Sequence, residues 1–232
     1  MVEEKNSPLS GGIRIAGIRR IIAEKMLDSL SNSAQLSYHA TVRADRLVAA
    51  RKEWLAAGVE VGIEDLILFY VAEALAEFPH FNGTVRDNHI YISDAIDVCV
   101  AIDLPTGLVA PALWNIGCKS VAEISEARRD TLERARSGKL TVMEMTGGTI
   151  TVSNLGLTRV EHFTPILNNG QIAIVGLGRI AARPWAENDG SITVRQAIGV
   201  SLTIDHRVVD GSDSGAFLSN IAERIETAAG PS

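Results

Sequence analysis

One stretch restricts the fold more than any other. Residues 197–204 (Ala-Ile-Gly-Val-Ser-Leu-Thr-Ile) are all apolar or small, and none is charged. That is the length of a strand, and a strand without polar alternation has to be covered on both faces. A buried strand in turn demands a sheet around it. The run leads straight into Asp205-His206-Arg207-Val208-Val209-Asp210-Gly211. His206 is therefore expected at the end of a rigid element, the placement that general-base chemistry requires. Taken alone, a histidine at a strand end also has a plain reading as a hydrogen-bonded structural ring.

The remaining pattern supplies the other elements. Ile18, Ile21, Ile22, Lys25, Met26 and Leu30 recur at helical spacing, which predicts a helix from near Gly17 to Asn32. Residues 35–44 alternate as a strand containing Tyr38 and His39, the latter read as structural. Asp45 caps a helix to about Ala57. Residues 63–78 form another, with an apolar face so broad that it must be nearly enclosed, and Pro79 ends it. Residues 89–92 and 96–102 read as strands, 103–107 as a turn, and 108–113 as a strand-like run with Pro111 at its edge. Ser120 and Glu123 form a capping box for an amphipathic helix to about Ser137, whose charged face is expected to be solvated. Residues 149–153 and 172–176 read as short strands, residues 192–194 and 197–204 as the final strand pair, and residues 212–227 as the closing helix. Irregular strands with several long helices predict an α/β domain of two layers with a mixed sheet. Residues 1–12 read as a flexible lead-in and 13–232 as one domain.

Composition excludes several classes. The net charge of −6 argues against a nucleic-acid binder. Cys99 and Cys118 form no framework, no His/Cys pairing has metal-ligand spacing, and both cysteines are expected to act as small core hydrophobes. The most apolar window, residues 63–76, carries Glu64, Asp65 and Glu73, so it reads as a buried helix and not a membrane span. Residues 1–10 are polar, with no signal-peptide pattern, which points to the cytoplasm, or to the mitochondrial matrix if the source is eukaryotic.

Several strings resemble the catalytic domain of the acyltransferase component of 2-oxoacid dehydrogenase complexes, a family that shares its fold with chloramphenicol acetyltransferase. They are Asp-His-Arg-x-x-Asp-Gly at 205–211 and Gly-Gly-Thr-Ile-Thr-Val-Ser-Asn-Leu-Gly at 147–156. To these are added Gly-Ile-Arg-Arg-Ile-Ile-Ala-Glu-Lys-Met at 17–26, Phe-Asn-Gly at 81–83, and the 100–111, 138–140 and 163–168 segments. The resemblance covers about residues 13–228. It implies a chloramphenicol acetyltransferase-like topology and acyl transfer between the thiols of a dihydrolipoyl arm and coenzyme A. It implies His206 as general base, Ser153 as the hydroxyl that stabilises the oxyanion, and Asp210 as a structural carboxylate paired with Arg19. Without it, Ser153 would be read as a local hydrogen-bonder in a turn and Arg19 as a solvated helix charge. It further implies a homotrimer with sites at the subunit boundaries, His206 and Ser153 coming from neighbouring chains. A lipoyl-bearing protein and other dehydrogenase-complex components would be the partners.

Two departures from the family are visible. No Asp-Lys-Ala lipoyl-attachment motif occurs, so the lipoyl group is expected on another domain or chain. No large apolar residue follows Ile225, so assembly is expected to stop at the trimer, short of a 24- or 60-chain core. Two other readings stay open: a coenzyme A-dependent acyltransferase acting on a small-molecule acceptor, and a structural core subunit without catalysis.

Overall fold

The computed structural model describes residues 12–105, 107–168 and 170–231; most of the expected lead-in lies outside them. The elements in chain order are α1 (Ile18–Ser31), β1 (Gln35–Arg43), α2 (Asp45–Ala56), α3 (Ile63–Glu77), β2 (Gly83–Arg86), β3 (His89–Ile92), β4 (Val98–Val100) and β5 (Ile102–Leu104). They continue with β6 (Gly107–Val109), β7 (Ala112–Leu113), α4 (Val121–Arg136), α5 (Val142–Thr146), β8 (Ile150–Asn154), β9 (Ala173–Ala186), β10 (Ile192–Asp205) and α6 (Gly211–Glu226).

The uncharged run lies where it must. β10 is flanked on both sides in a six-stranded sheet of order β1-β10-β9-β8-β4-β7. It runs antiparallel to β1 and β9; β8 runs parallel to β9 and to β4, and β7 closes the sheet antiparallel. The sheet is therefore mixed, as expected. Val200, Leu202 and Ile204 are fully buried in the core formed with α2, α3, α4 and α6. On the opposite face stand Ser201 and Thr203, also buried. That face carries hydroxyls. Thr203 pairs with Ser37 at 2.7 Å, and Ser201 with Nδ1 of His39 at 2.9 Å, which bears out the structural reading of His39. α1 and the 157–168 segment lie on this second side.

The expected strand boundaries need correction. β10 is one strand of 14 residues, not two, and β9 matches it over 14 residues instead of stopping near Gly176. Arg195 and Gln196 interrupt the apolar pattern at the point where the β9–β10 ribbon leaves the sheet, and polar side chains are tolerated there. Residues 96–102 also divide: β4 belongs to the main sheet, whereas β5 pairs only with β6 in a separate hairpin. The 108–113 run breaks at Pro111, which has no N–H to give; its carbonyl accepts from Val100 at 3.0 Å. β2 was not anticipated. It pairs with β3 around Asp87-Asn88, both with positive φ (48° and 59°), the signature of a tight hairpin turn.

Candidate active site

His206 stands one residue beyond β10, and its seat is built from its neighbours in sequence. Its N–H donates to the Ala34 carbonyl at 2.9 Å, and the Ala34 N–H donates to Asp205 Oδ1 at 3.2 Å. Arg207 folds back over the same carboxylate, with Nε 3.0 Å from both oxygens and Nη2 2.5 Å from Oδ2. Burial alone would push the Asp205 carboxyl up. The Arg207 guanidinium and the backbone N–H groups of Arg207 and Ala34 outweigh it and hold the group below the usual aspartate range. The Asp205 carbonyl then accepts from Val208 and Val209, closing the turn on which His206 rides. The imidazole itself is 41% exposed. Its Nδ1 is 3.8 Å from Asp210 Oδ1, outside hydrogen-bond range, and the Asp210 side chain is open to solvent.

Ser153 is the next-to-last residue of β8 and lies on the hydroxyl-bearing face, half-buried. It opens into a cavity of about 410 Å³ walled by Ile18, Ile21 and Ile22 of α1, Val109 of β6, and Phe163. Among the described residues its hydroxyl has no protein partner, so it remains available to a ligand. The floor beneath it is tied down. Thr151 donates to Gln171 Oε1 at 2.5 Å, and Gln171 Nε2 donates to the Gly148 carbonyl at 3.1 Å.

One chain does not bring these two groups together. Register places Ser153 opposite Gly176, and Gly176 opposite Ser201. His206 lies five residues further along and two strands across. At roughly 3.3 Å per residue and 4.8 Å per strand, the Cα separation is about 19 Å. Nor does one chain bring Arg19 to Asp210: among the described residues the two form no ion pair, and Arg19 is exposed. Arg19 sits in the first turn of α1, whereas the other end of that helix leads to Ala34 and Asp205. At about 1.5 Å rise per residue these ends are roughly 18 Å apart. Arg19 therefore shares the Ser153 end of the molecule.

Other sequence readings sort as follows. Cys99 is buried and its thiol is pushed up to about 11 by burial, but Cys118 is exposed and is no core residue. The charged face of α4 is not wholly solvated, because Arg134 is bound to the buried Glu144 of α5. Asn82 is structural: buried, it donates to the Ser93 and Ala95 carbonyls at 2.7 and 3.0 Å. Sequence reasoning missed the Asp205–Arg207 clamp, which an i,i+2 acid–base pair could have signalled, and Gln171, which nothing in the sequence marks. Among the described residues no three His, Cys, Asp or Glu side chains converge as metal ligands, and no helix is long and apolar enough to cross a membrane.

A family model for the 2-oxoacid dehydrogenases acyltransferase catalytic domain matches residues 10–230. The chain belongs to this family. The acyltransferase domain is 36% identical over 225 residues, 93% of this chain, to the dihydrolipoyllysine-residue acetyltransferase component of the pyruvate dehydrogenase complex of Corynebacterium glutamicum, of which the match spans 33%. It is 33% identical over 214 residues, 90% of this chain, to the succinyltransferase component of the 2-oxoglutarate dehydrogenase complex of Haemophilus influenzae, of which the match spans 52%. The chain thus spans about half, or less, of the length of these relatives. Among solved structures, a probable dihydrolipoamide acetyltransferase from Listeria monocytogenes superposes with a TM-score of 0.87 at 31% identity, covering 94% of this chain and 95% of that one. The Azotobacter vinelandii dihydrolipoamide acetyltransferase gives 0.86 at 26%, covering 97% and 96%. Chloramphenicol acetyltransferase gives 0.56 at 20%, covering 92% and 97%, a likeness of fold.

Proposed function

We propose that this domain transfers an acyl group between the thiols of a dihydrolipoyl arm and coenzyme A, in the cytoplasm, as a trimer whose sites lie between neighbouring chains. The observation that carries this reading is the pair of half-sites. An exposed, rigidly seated His206 and an unpartnered Ser153 hydroxyl stand about 19 Å apart on one chain, a gap that a neighbouring chain would close. In such an assembly Arg19 arrives with Ser153, and Asp210 with His206, so the expected Arg19–Asp210 pair forms across the boundary. The Azotobacter enzyme has been studied for the roles of a serine, a histidine and an asparagine in its mechanism, with the asparagine four residues after the histidine. Asp210 holds that spacing here.

The chemistry follows from the groups. A thiol with a pKa near 8.5 is only slightly ionised at neutral pH. Neutral His206 takes the thiol proton as sulfur attacks the thioester carbonyl, a contribution on the order of 10²–10⁴-fold. The carbonyl oxygen becomes negative and accepts from the Ser153 hydroxyl. Collapse breaks the old C–S bond, and the leaving thiolate recovers the proton from His206. Both ends are thioesters, so the step is close to thermoneutral.

The test is acyl transfer from acetyl-CoA and succinyl-CoA to free dihydrolipoamide, with sedimentation to measure the assembly. Transfer by a species of three chains supports the reading. Absence of transfer from both donors, or a mass near 24 or 60 chains, counts against the activity or the assembly respectively. Transfer only to other acceptors would favour the small-molecule reading.

A further inference from the structure

β8 alternates between its two faces. Ile150 and Val152 are fully buried against the helices, whereas Thr151 and Ser153 share the cavity side. Two hydroxyls ahead of Ser153 are already committed to buried amides. Thr149, at the entry to the strand, donates to Asn82 Oδ1, and Thr151 donates to Gln171 Oε1 at 2.5 Å. Ser153 comes next, and its hydroxyl has no protein partner among the described residues.

The orientation of the Gln171 amide follows from its partners. The Gly148 carbonyl can only accept, and it lies 3.1 Å from Nε2. The Cys99 thiol gives its proton to the Gly147 carbonyl at 3.1 Å, so its sulfur accepts from the same Nε2 at 3.4 Å. Oε1 is thereby left to Thr151, which has to donate. The Gln171 N–H donates to the Asn168 carbonyl at 2.9 Å and closes the turn ahead of β9. One amide thus joins three parallel neighbours on the cavity side: Cys99 of β4, Thr151 of β8 and the head of β9.

The sheet holds together without this amide. The β8–β9 ladder runs from Ile150–Ala173 to Asn154–Leu177 through backbone alone, and Ile172 and Ile174 beside it are buried hydrocarbon. An amide only 3% exposed is costly unless every partner is made, and when all are made it selects a single arrangement. That arrangement fixes the cavity face of β8 one pleat before Ser153.

We propose that Gln171 is a positioning residue for the Ser153 hydroxyl: by taking the Thr151 proton it sets the roll of β8 and holds Ser153 towards the cavity. This rests on the acyl-transfer reading of Ser153 given above.

The experiment compares Gln171→Met, Thr151→Val, the double variant and Thr151→Ser, each with wild-type mass and far-UV spectrum. Gln171→Met and Thr151→Val keep the shape and remove the hydrogen bond. Each is expected to lose about tenfold in kcat, the worth of that bond, with KM for coenzyme A unchanged. The double variant should be no worse than either single one. Thr151→Ser keeps the hydroxyl but loses a buried methyl, so its melting temperature should fall while kcat stays within about twofold. On a Ser153→Ala background, Gln171→Met should add no further loss. Wild-type kcat in Gln171→Met, losses that multiply in the double variant, a further tenfold loss on the Ser153→Ala background, or a change confined to KM would overturn the proposal. Hydrogen exchange of the 151–155 amides gives a readout independent of turnover. They should exchange faster in Gln171→Met than in wild type and recover in Thr151→Ser; unchanged protection in Gln171→Met overturns the proposal whatever the activity. Full activity in Ser153→Ala would instead fail the catalytic reading of Ser153, and faster exchange in Gln171→Met would then support the Gln171–Thr151 link alone.

Discussion

The ends of β10 and β8 each carry a side chain to which the proposed reaction gives a role, His206 and Ser153, and they are built in opposite ways. The His206 end is held by groups within two residues of it, Asp205 and Arg207, plus the neighbouring turn at Ala34. The Ser153 end is held by residues far away in sequence: Gln171 below and α1 across the cavity. A base has to keep one ring in place, and a local clamp suffices. A hydroxyl that meets a developing charge has to be placed relative to a pocket, and the pocket comes from several elements.

That contrast can be broken by mutation. His206→Ala should lower acyl transfer by roughly 10²–10⁴-fold while leaving the melting temperature near wild type, because the ring is exposed and packs little. Ser153→Ala should cost on the order of 10²-fold in kcat with little change in KM. When the two inactive variants are unfolded and refolded together, some boundaries should pair an intact His206 with an intact Ser153. Activity should then return, and its failure to return would place the site within one chain.

Asp205→Asn tests the clamp. Loss of the carboxylate weakens the Arg207 and Ala34 hydrogen bonds, and a stability loss of about 1–3 kcal/mol is expected in chemical denaturation. Acid should do the same to wild type. Because the folded carboxyl lies below its ordinary value, its stabilisation is present above pH 3.8 and is lost as pH falls through the folded value. The variant should show a flatter profile in that window. The smallest expected effect concerns the floor under Ser153. Cys118 should react with a thiol reagent in the native protein, whereas Cys99, donating to the Gly147 carbonyl at 3.1 Å, should react only on unfolding. Native labelling of Cys99 would show the β8 floor to be loose.

What the sequence disclosed follows the same division. The uncharged run, the capping box at Ser120 and the enclosed helix α3 are local patterns, and each lies where its pattern places it. His206 belongs with them. The extension of β9 and β10 into a long ribbon escaped because polar residues there look like a strand end. The placement of Arg19 and Asp210 at opposite ends of one chain was not legible, because a one-dimensional pattern carries no information on which end of a helix faces which strand. Gln171 was invisible as a support of the floor, since a lone glutamine just before a strand is ordinary in itself.

The ribbon carries one further consequence. Opposite Gly199 of β10, β9 has an extra residue, Gly178 and Arg179 facing one partner, and the bulged Arg179 N–H donates to the Val160 carbonyl at 2.8 Å. A Cβ at Gly178 or Gly199 would fall on the Glu161 carbonyl, so backbone lies against backbone where the 157–168 segment crosses the sheet. That segment supplies Phe163 to the Ser153 cavity. A lineage exploring new acyl groups would find this wall frozen, because no side chain stands between the two backbones to be exchanged. Its room for innovation lies on the facing wall, where Ile18, Ile21 and Leu108 are already exposed and can vary singly.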